Sequence, residues 1–180
     1  MRFCVCLIIS FLAFTNSIAA ESYVLYRMDE QQFSIAFPQS WQTKPGRTGM
    51  TVLKGGPSGD SGTGCLVAFH RAKVLENSSP SEAAKMFQGN TMAAQFQQAG
   101  FSDVRIIEQR PIKLNSRDAG YSVLSYTIQG LDASAAMVSM LAVTNKRDQV
   151  YTLNCSARNT DFGRWKSVFS DVFNSFVVYP

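Results

Sequence analysis

The chain is poor in the residues that assemble most catalytic and metal centres: it holds one histidine, His70, and four cysteines in 180 residues. Cys4 and Cys6 stand near the start, while Cys65 and Cys155 lie 90 positions apart. That spacing leaves no zinc cluster, no paired-histidine metal motif and no Cys-x-x-Cys redox pair, so no cofactor or metal is expected, at His70 or elsewhere. A concentration of positive charge is missing as well. The formal net charge is only +4, and Lys44, Arg47, Lys54, Arg71, Arg105, Lys146 and Arg164 are dispersed among acids. Nucleic-acid binding shows as a basic stripe or patch, so nucleic acid is not an expected partner. No linker, internal repeat or low-complexity tract divides the chain. Beyond the N-terminus, no apolar run is long enough to span a bilayer.

The N-terminus itself reads as a secretory signal. Arg2 precedes an apolar run from Phe3 to Ile9, which resumes as Phe11, Leu12, Ala13 and Phe14 before Thr15, Asn16 and Ser17. Signal peptidase reads small side chains at the third and first positions before its cut. Ser17 and Ala19 fit, and a cut after Ala20 is the neighbouring alternative. Residues 1–20 are therefore assigned to the signal. An uncleaved anchor would need roughly 20 apolar residues, more than this stretch holds. Cys4 and Cys6 lie too early to carry a lipid at the cut, and they leave with the signal.

The mature chain, 21–180, is expected in the periplasm or outside the cell as a single domain, since this length supports one core. Loss of Arg2 leaves it 16 basic residues against 13 acidic ones. In an oxidising compartment the two remaining cysteines, Cys65 and Cys155, are expected to pair. Each shares a strand face with apolar neighbours, Val67 and Phe69 for one and Tyr151 and Leu153 for the other. Two buried free thiols are the alternative, because cysteine packs readily as a small apolar residue.

Periodicity organises the mature chain as strands, a helix, more strands and a final helix. A hairpin is expected from Ser22–Met28 and the alternating Phe33, Ile35 and Phe37, with Pro38 ending the second strand and Trp41 in a short connection. Thr51–Leu53 forms a short third strand, and a fourth alternates through Cys65, Val67 and Phe69. Ser79-Pro80-Ser81 with Glu82 opens a helix over about Ser81–Ala99, stopped by Gly100. Five strands follow: Val104–Glu108, Pro111–Leu114, Tyr121–Gln129, Ala135–Thr144 and Gln149–Ala157. Asn159 or Thr160 then caps a final helix whose stripe of Phe162, Trp165, Phe169, Val172, Phe173 and Phe176 is expected to be core. This order defines an α+β fold around a mostly antiparallel sheet.

Between the third and fourth strands lies a segment with five glycines and one proline: Gly55, Gly56, Pro57, Ser58, Gly59, Asp60, Ser61, Gly62, Thr63 and Gly64. It reads as a flexible loop and as a possible binding loop, with a featureless connector as the alternative. Gly59-Asp60-Ser61-Gly62 matches the nucleophile turn of chymotrypsin-like serine proteases, which makes a serine hydrolase the alternative function. The context departs from that pattern, because His70 follows the serine by nine positions on a strand rather than preceding it. A phosphate cradle is not expected either, since the segment lacks a Gly-Lys-Ser/Thr ending and runs into no helix. Asp29 and Glu30, the adjacent acid pair, fall in a hairpin turn where nothing separates their protonation. Asn77-Ser78-Ser79 and Asn154-Cys155-Ser156 fit the N-glycosylation pattern.

Two stretches carry a resemblance. Phe33-Ser34-Ile35-Ala36-Phe37-Pro38 with Trp41, and Tyr151-Thr152-Leu153-Asn154-Cys155 ahead of a helix closing in Asn174-Ser175-Phe176, resemble the PsbP-like superfamily, which includes the exported bacterial LpqN and DcrB groups. The resemblance spans nearly all of the mature chain and implies an αβα sandwich. It also implies a non-enzymatic binding or accessory module that engages an envelope or secreted protein, or a small ligand. The shared motifs are packing motifs, so no catalytic residue is carried across.

Overall fold

The computed structural model describes residues 21–46, 50–60, 62–88, 90–129 and 134–180. The signal assigned to 1–20 lies outside them, as does Ser61. Two antiparallel sheets are formed. The smaller holds β1 (Tyr23–Met28), β2 (Phe33–Pro38) and the short β10 (Val177–Val178), in the order β1-β2-β10. The larger comprises β3 (Trp41–Pro45), β4 (Thr51–Pro57), β5 (Gly64–Arg71), β6 (Ser102–Leu114), β7 (Arg117–Gln129), β8 (Ser134–Lys146) and β9 (Gln149–Arg158), in the order β3-β4-β5-β9-β8-β7-β6. The helices are α1 (Pro80–Met86), α2 (Thr91–Gln98) and α3 (Phe162–Asn174), with a single 3₁₀ turn at Lys73–Leu75.

The large sheet is a middle layer with a core on each face. On one face, α3 and the small sheet bury Phe33, Phe37, Trp41, Phe169, Val172 and Phe176 against Val67, Tyr121, Tyr151 and Leu153. This aromatic layer interlocks edge to face, as in Phe33 on Tyr151 at 6.0 Å and Trp41 on Phe169 at 6.4 Å between ring centroids, a geometry that adds to area burial. On the other face, α1 lies over β7 and β8 and α2 over β6, closing a second core of Ala83, Met92, Phe96, Leu124, Met137 and Leu141. The fold is α+β around antiparallel sheets, as expected from the order of elements.

Local chemistry accounts for the ends of these elements. Ser79 Oγ accepts from the Glu82 amide at 3.2 Å while the Glu82 carboxylate accepts from the Ser79 amide at 2.8 Å; this reciprocal pair, with Pro80 in the first turn, starts α1 as expected. Gly120 on β7 admits α1, because a Cβ there would stand 2.7 Å from the Ala84 carbonyl oxygen. Fully buried Asn145 donates through Nδ2 to the carbonyls of Ser78 at 3.1 Å and Arg147 at 3.0 Å, tying the approach to α1 onto the β8–β9 turn.

Several expectations need correction. Trp41 is not in a connection: it opens β3 and is buried. The strands expected at Val104–Glu108 and Pro111–Leu114 are one, β6, and Pro111 is tolerated there because β6 is a sheet edge. The strand expected from Tyr121 begins earlier, at Arg117, which leaves only Asn115 and Ser116 to turn from β6 into β7. The single helix over Ser81–Ala99 is two helices. The amides of Phe87 and Gln88 donate back three residues, to Ala84 and Lys85, and such short bonds tighten and end a helix. The last helix starts from Asp161, not Asn159 or Thr160, and its Trp165 is half-buried where full burial was expected.

Candidate functional site

The glycine-rich segment is mostly strand. Gly55, Gly56 and Pro57 are paired on β4, opposite Thr43, Gln42 and Trp41 of β3, and Gly55 also pairs with Cys65 of β5. Composition pointed to a loop because glycine and proline weaken strands, but here the close approach of the hairpin arms requires glycine. A Cβ at Gly56 would stand 2.6 Å from the Thr63 carbonyl oxygen. The loop proper is thus the hairpin tip between Pro57 and Gly64. Within it, Asp60 Oδ1 accepts from the Gly62 amide at 2.8 Å and the Thr63 amide at 3.1 Å. Hydrogen bonding from Thr63 first, then from the Gly62 amide, and also the nearby Arg158, hold the Asp60 carboxyl below its ordinary range. The acid of the tip is committed to folding the tip.

Beneath this hairpin the large sheet carries a cleft of about 590 Å³, within the size range of small-molecule sites. Register shows how its walls arise. Lys44 pairs with Lys54, Lys54 with Leu66, Leu66 with Asn154, and Asn154 with Leu141. Cross-strand partners share a face, and Leu141 belongs to the core beneath α1 and α2. The row therefore runs along the face that carries α1 and α2 out to the β3–β4 edge, where Gln42, Lys44 and Lys54 are exposed. Deeper in the cleft, the Asn154 carbonyl oxygen Oδ1 is buried without a hydrogen-bond partner. Ser156 also lines the cleft and leads to a buried polar pair, Tyr126 hydroxyl against Ser139 Oγ at 2.9 Å.

The sequence-level candidates are only partly brought together. Cys65 and Cys155 are register partners on β5 and β9 and are joined by a disulfide. His70 lies near the opposite end of β5 from the hairpin tip, six residues from Gly64, or about 20 Å along an extended strand. Burial lowers its affinity for a proton. Asp29 and Glu30 occupy the β1–β2 turn. Among the described residues, no three of His, Cys, Asp and Glu are grouped to hold a metal ion. Asn154, one of the two glycosylation matches, lies inside β9 rather than on a loop. Lys44, Lys54, Leu66, Asn154 and Ser156 were not anticipated as cleft residues. Their only signal was alternation within each strand, and which strands stand side by side is set by long-range pairing.

The architecture is a sheet held between two cores, with a polar cleft toward its β3–β4 edge. Residues 21–178 match the PsbP family, and the chain belongs to it. Among solved structures, it is similar to cyanobacterial PsbP (CyanoP) from Synechocystis sp. PCC 6803, with 17% identity, a TM-score of 0.58, and coverage of 93% of this chain and 99% of that one. The Saccharomyces cerevisiae Ran-binding protein Mog1p has 7% identity and a TM-score of 0.58, with coverage of 88% and 96%. LpqN, described as involved in cell envelope biogenesis of Mycobacterium tuberculosis, has 8% identity and a TM-score of 0.50, with coverage of 89% and 86%. These likenesses establish a shared fold. No curated protein matches the chain by sequence.

Proposed function

We propose that the protein is an exported, non-enzymatic accessory module of the periplasm or extracellular space, a single PsbP domain over 21–180 behind a signal at 1–20. It engages an envelope or secreted protein, or a small ligand, through the β4–β5 hairpin and the cleft below it. The observation that carries this reading is the cleft, whose walls are backbone, lysine, amide and hydroxyl groups beside Leu66, and whose one carboxylate, Asp60, is engaged by the Gly62 and Thr63 amides. Two further features support it. A disulfide suits an oxidising compartment, and the similar structures bear binding or assembly descriptions, among them Ran binding for Mog1p and envelope biogenesis for LpqN. Those roles differ on one fold, so the partner of this chain follows from its own site and not from theirs.

The hydrolase alternative is weakened by the same geometry, since the chain's one histidine is a strand's length from the hairpin tip. The test replaces Ser58–Gly62 with Asn-Gly, a sequence suited to a two-residue hairpin, and repeats crosslinking in the native compartment. We expect unchanged melting and loss of the partner captured by the parent protein. Full retention of that partner at equal melting would overturn the hairpin as the binding element. Recovery of an intact Met1 chain from membranes would overturn export with cleavage.

A further inference from the structure

We infer that the cleft takes a small organic carboxylate that also carries an amide N–H, held by Lys44 and Lys54 at its rim and by Asn154 in its depth. The inference rests on the cleft being the binding site. Its first support is the lysine pair. Lys44 and Lys54 are direct cross-strand partners, so their Cβ atoms are about 5 Å apart and like charges there oppose each other. Among the described residues, neither ammonium has an acidic side chain within 4.0 Å, since the ion pairs formed are Arg27–Asp29, Arg71–Asp148, Arg110–Glu108 and Lys113–Asp118. An anion lodged between the two lysines would convert that repulsion into two attractions. The carboxylate nearest in sequence, Asp60, also lines the cleft, but its charge is met by the Gly62 and Thr63 amides and by Arg158.

The second support is independent and concerns the other end of the ligand. Asn154 Oδ1 is a buried acceptor without a partner, and buried polar groups in folded proteins are almost always satisfied. A ligand N–H would complete it. Leu66, between Lys54 and Asn154 in register, supplies an apolar contact for the atoms joining amide to carboxylate. Two strand spacings separate Lys54 from Asn154, about 10 Å between backbones, and the lysine side chain shortens that span to the scale of one or two peptide units. The cleft volume of about 590 Å³ accommodates such a molecule, and it is larger than a bare inorganic ion requires. The combination of clustered cations, an unpaired carbonyl and an intervening aliphatic contact defines an N-acylated amino-acid or short peptide carboxylate as the ligand class.

The experiment titrates the exported protein with N-acetyl-dialanine, and separately with its neutral C-terminal amide, at constant ionic strength. Amide chemical shifts of Gly55, Gly64 and Asn154 report binding. The acid is expected to give saturable shifts, and the amide to bind at least tenfold more weakly. The K44Q/K54Q double variant, altered only at exposed positions, should lose the acid-over-amide preference. Asn154→Leu should weaken acid and amide alike, with melting curves confirming the fold of both variants. Equal binding of acid and amide, or an undiminished preference in K44Q/K54Q, would overturn anion recognition while leaving the cleft a binding site. No saturable shift with either probe would also overturn this ligand class, and the hairpin crosslinking result would still decide the binding-module reading on its own.

Discussion

At the scale of single residues, the tightest constraint in the second core is where α1 meets β7. Gly120 faces the backbone of Ala84, and nothing there is a flexible side chain that could swing aside. Gly120→Ala should therefore push α1 off the sheet and cost about 1–3 kcal/mol, the range for overpacking a close-packed site. Denaturant unfolding with an unchanged slope checks this, and a variant as stable as the parent would show that α1 is free to move. Sequence reading reached some residues and not others for physical reasons. Cys65, Cys155, Phe169 and Phe173 sit on strong alternating or helical patterns, so their faces were legible. Trp165 lies on the same stripe but in the first turn of α3, where it meets Trp41 edge to face at 5.9 Å and keeps one side toward solvent. The cleft lysines were invisible as a pair because Lys44 and Lys54 become neighbours only through the β3–β4 register.

At the scale of elements, the β6–β7 hairpin shows what composition conceals. Its two-residue turn, Asn115-Ser116, has φ of 45° and 77°, and positive φ at both positions is the geometry whose twist matches a tight hairpin. Asparagine accepts that conformation easily and serine less so, at a cost of order 1 kcal/mol for an L residue. Ser116→Gly should accordingly raise stability by about 0.5–1 kcal/mol, seen as a higher melting temperature with the hairpin amides unshifted. A drop in melting temperature would mean that the serine side chain contributes something the backbone geometry does not show. The same hairpin explains why Val104–Glu108 and Pro111–Leu114 read as two strands. Pro111 is a break signal in a central strand, whereas β6 is an edge and needs no donor on its open side. In the small sheet the β1–β2 hairpin was legible from its alternation, but the third strand was not, since β10 is two residues long and pairs with a strand far away in the chain.

At the scale of the whole molecule, the Cys65–Cys155 bond closes a loop of 90 residues through the middle of the large sheet. In the chain-entropy account, such a loop stabilises the folded state by about 4–5 kcal/mol. The C65A/C155A double variant should lose stability of that order when unfolded without reductant, and reductant should no longer affect it. Equal stability of parent and variant would place the stabilisation elsewhere. The bond also has a mechanical consequence. If the two ends of the protein are drawn apart, tension passes from β5 directly into β9 through the sulfur link, and the residues between them carry none of it. The chain can then lengthen only by its outer segments. Roughly 300 Å of contour, at 3.3–3.6 Å per residue, stays hidden until the link is reduced, so a molecule under load would extend in two steps whose second requires a thiol.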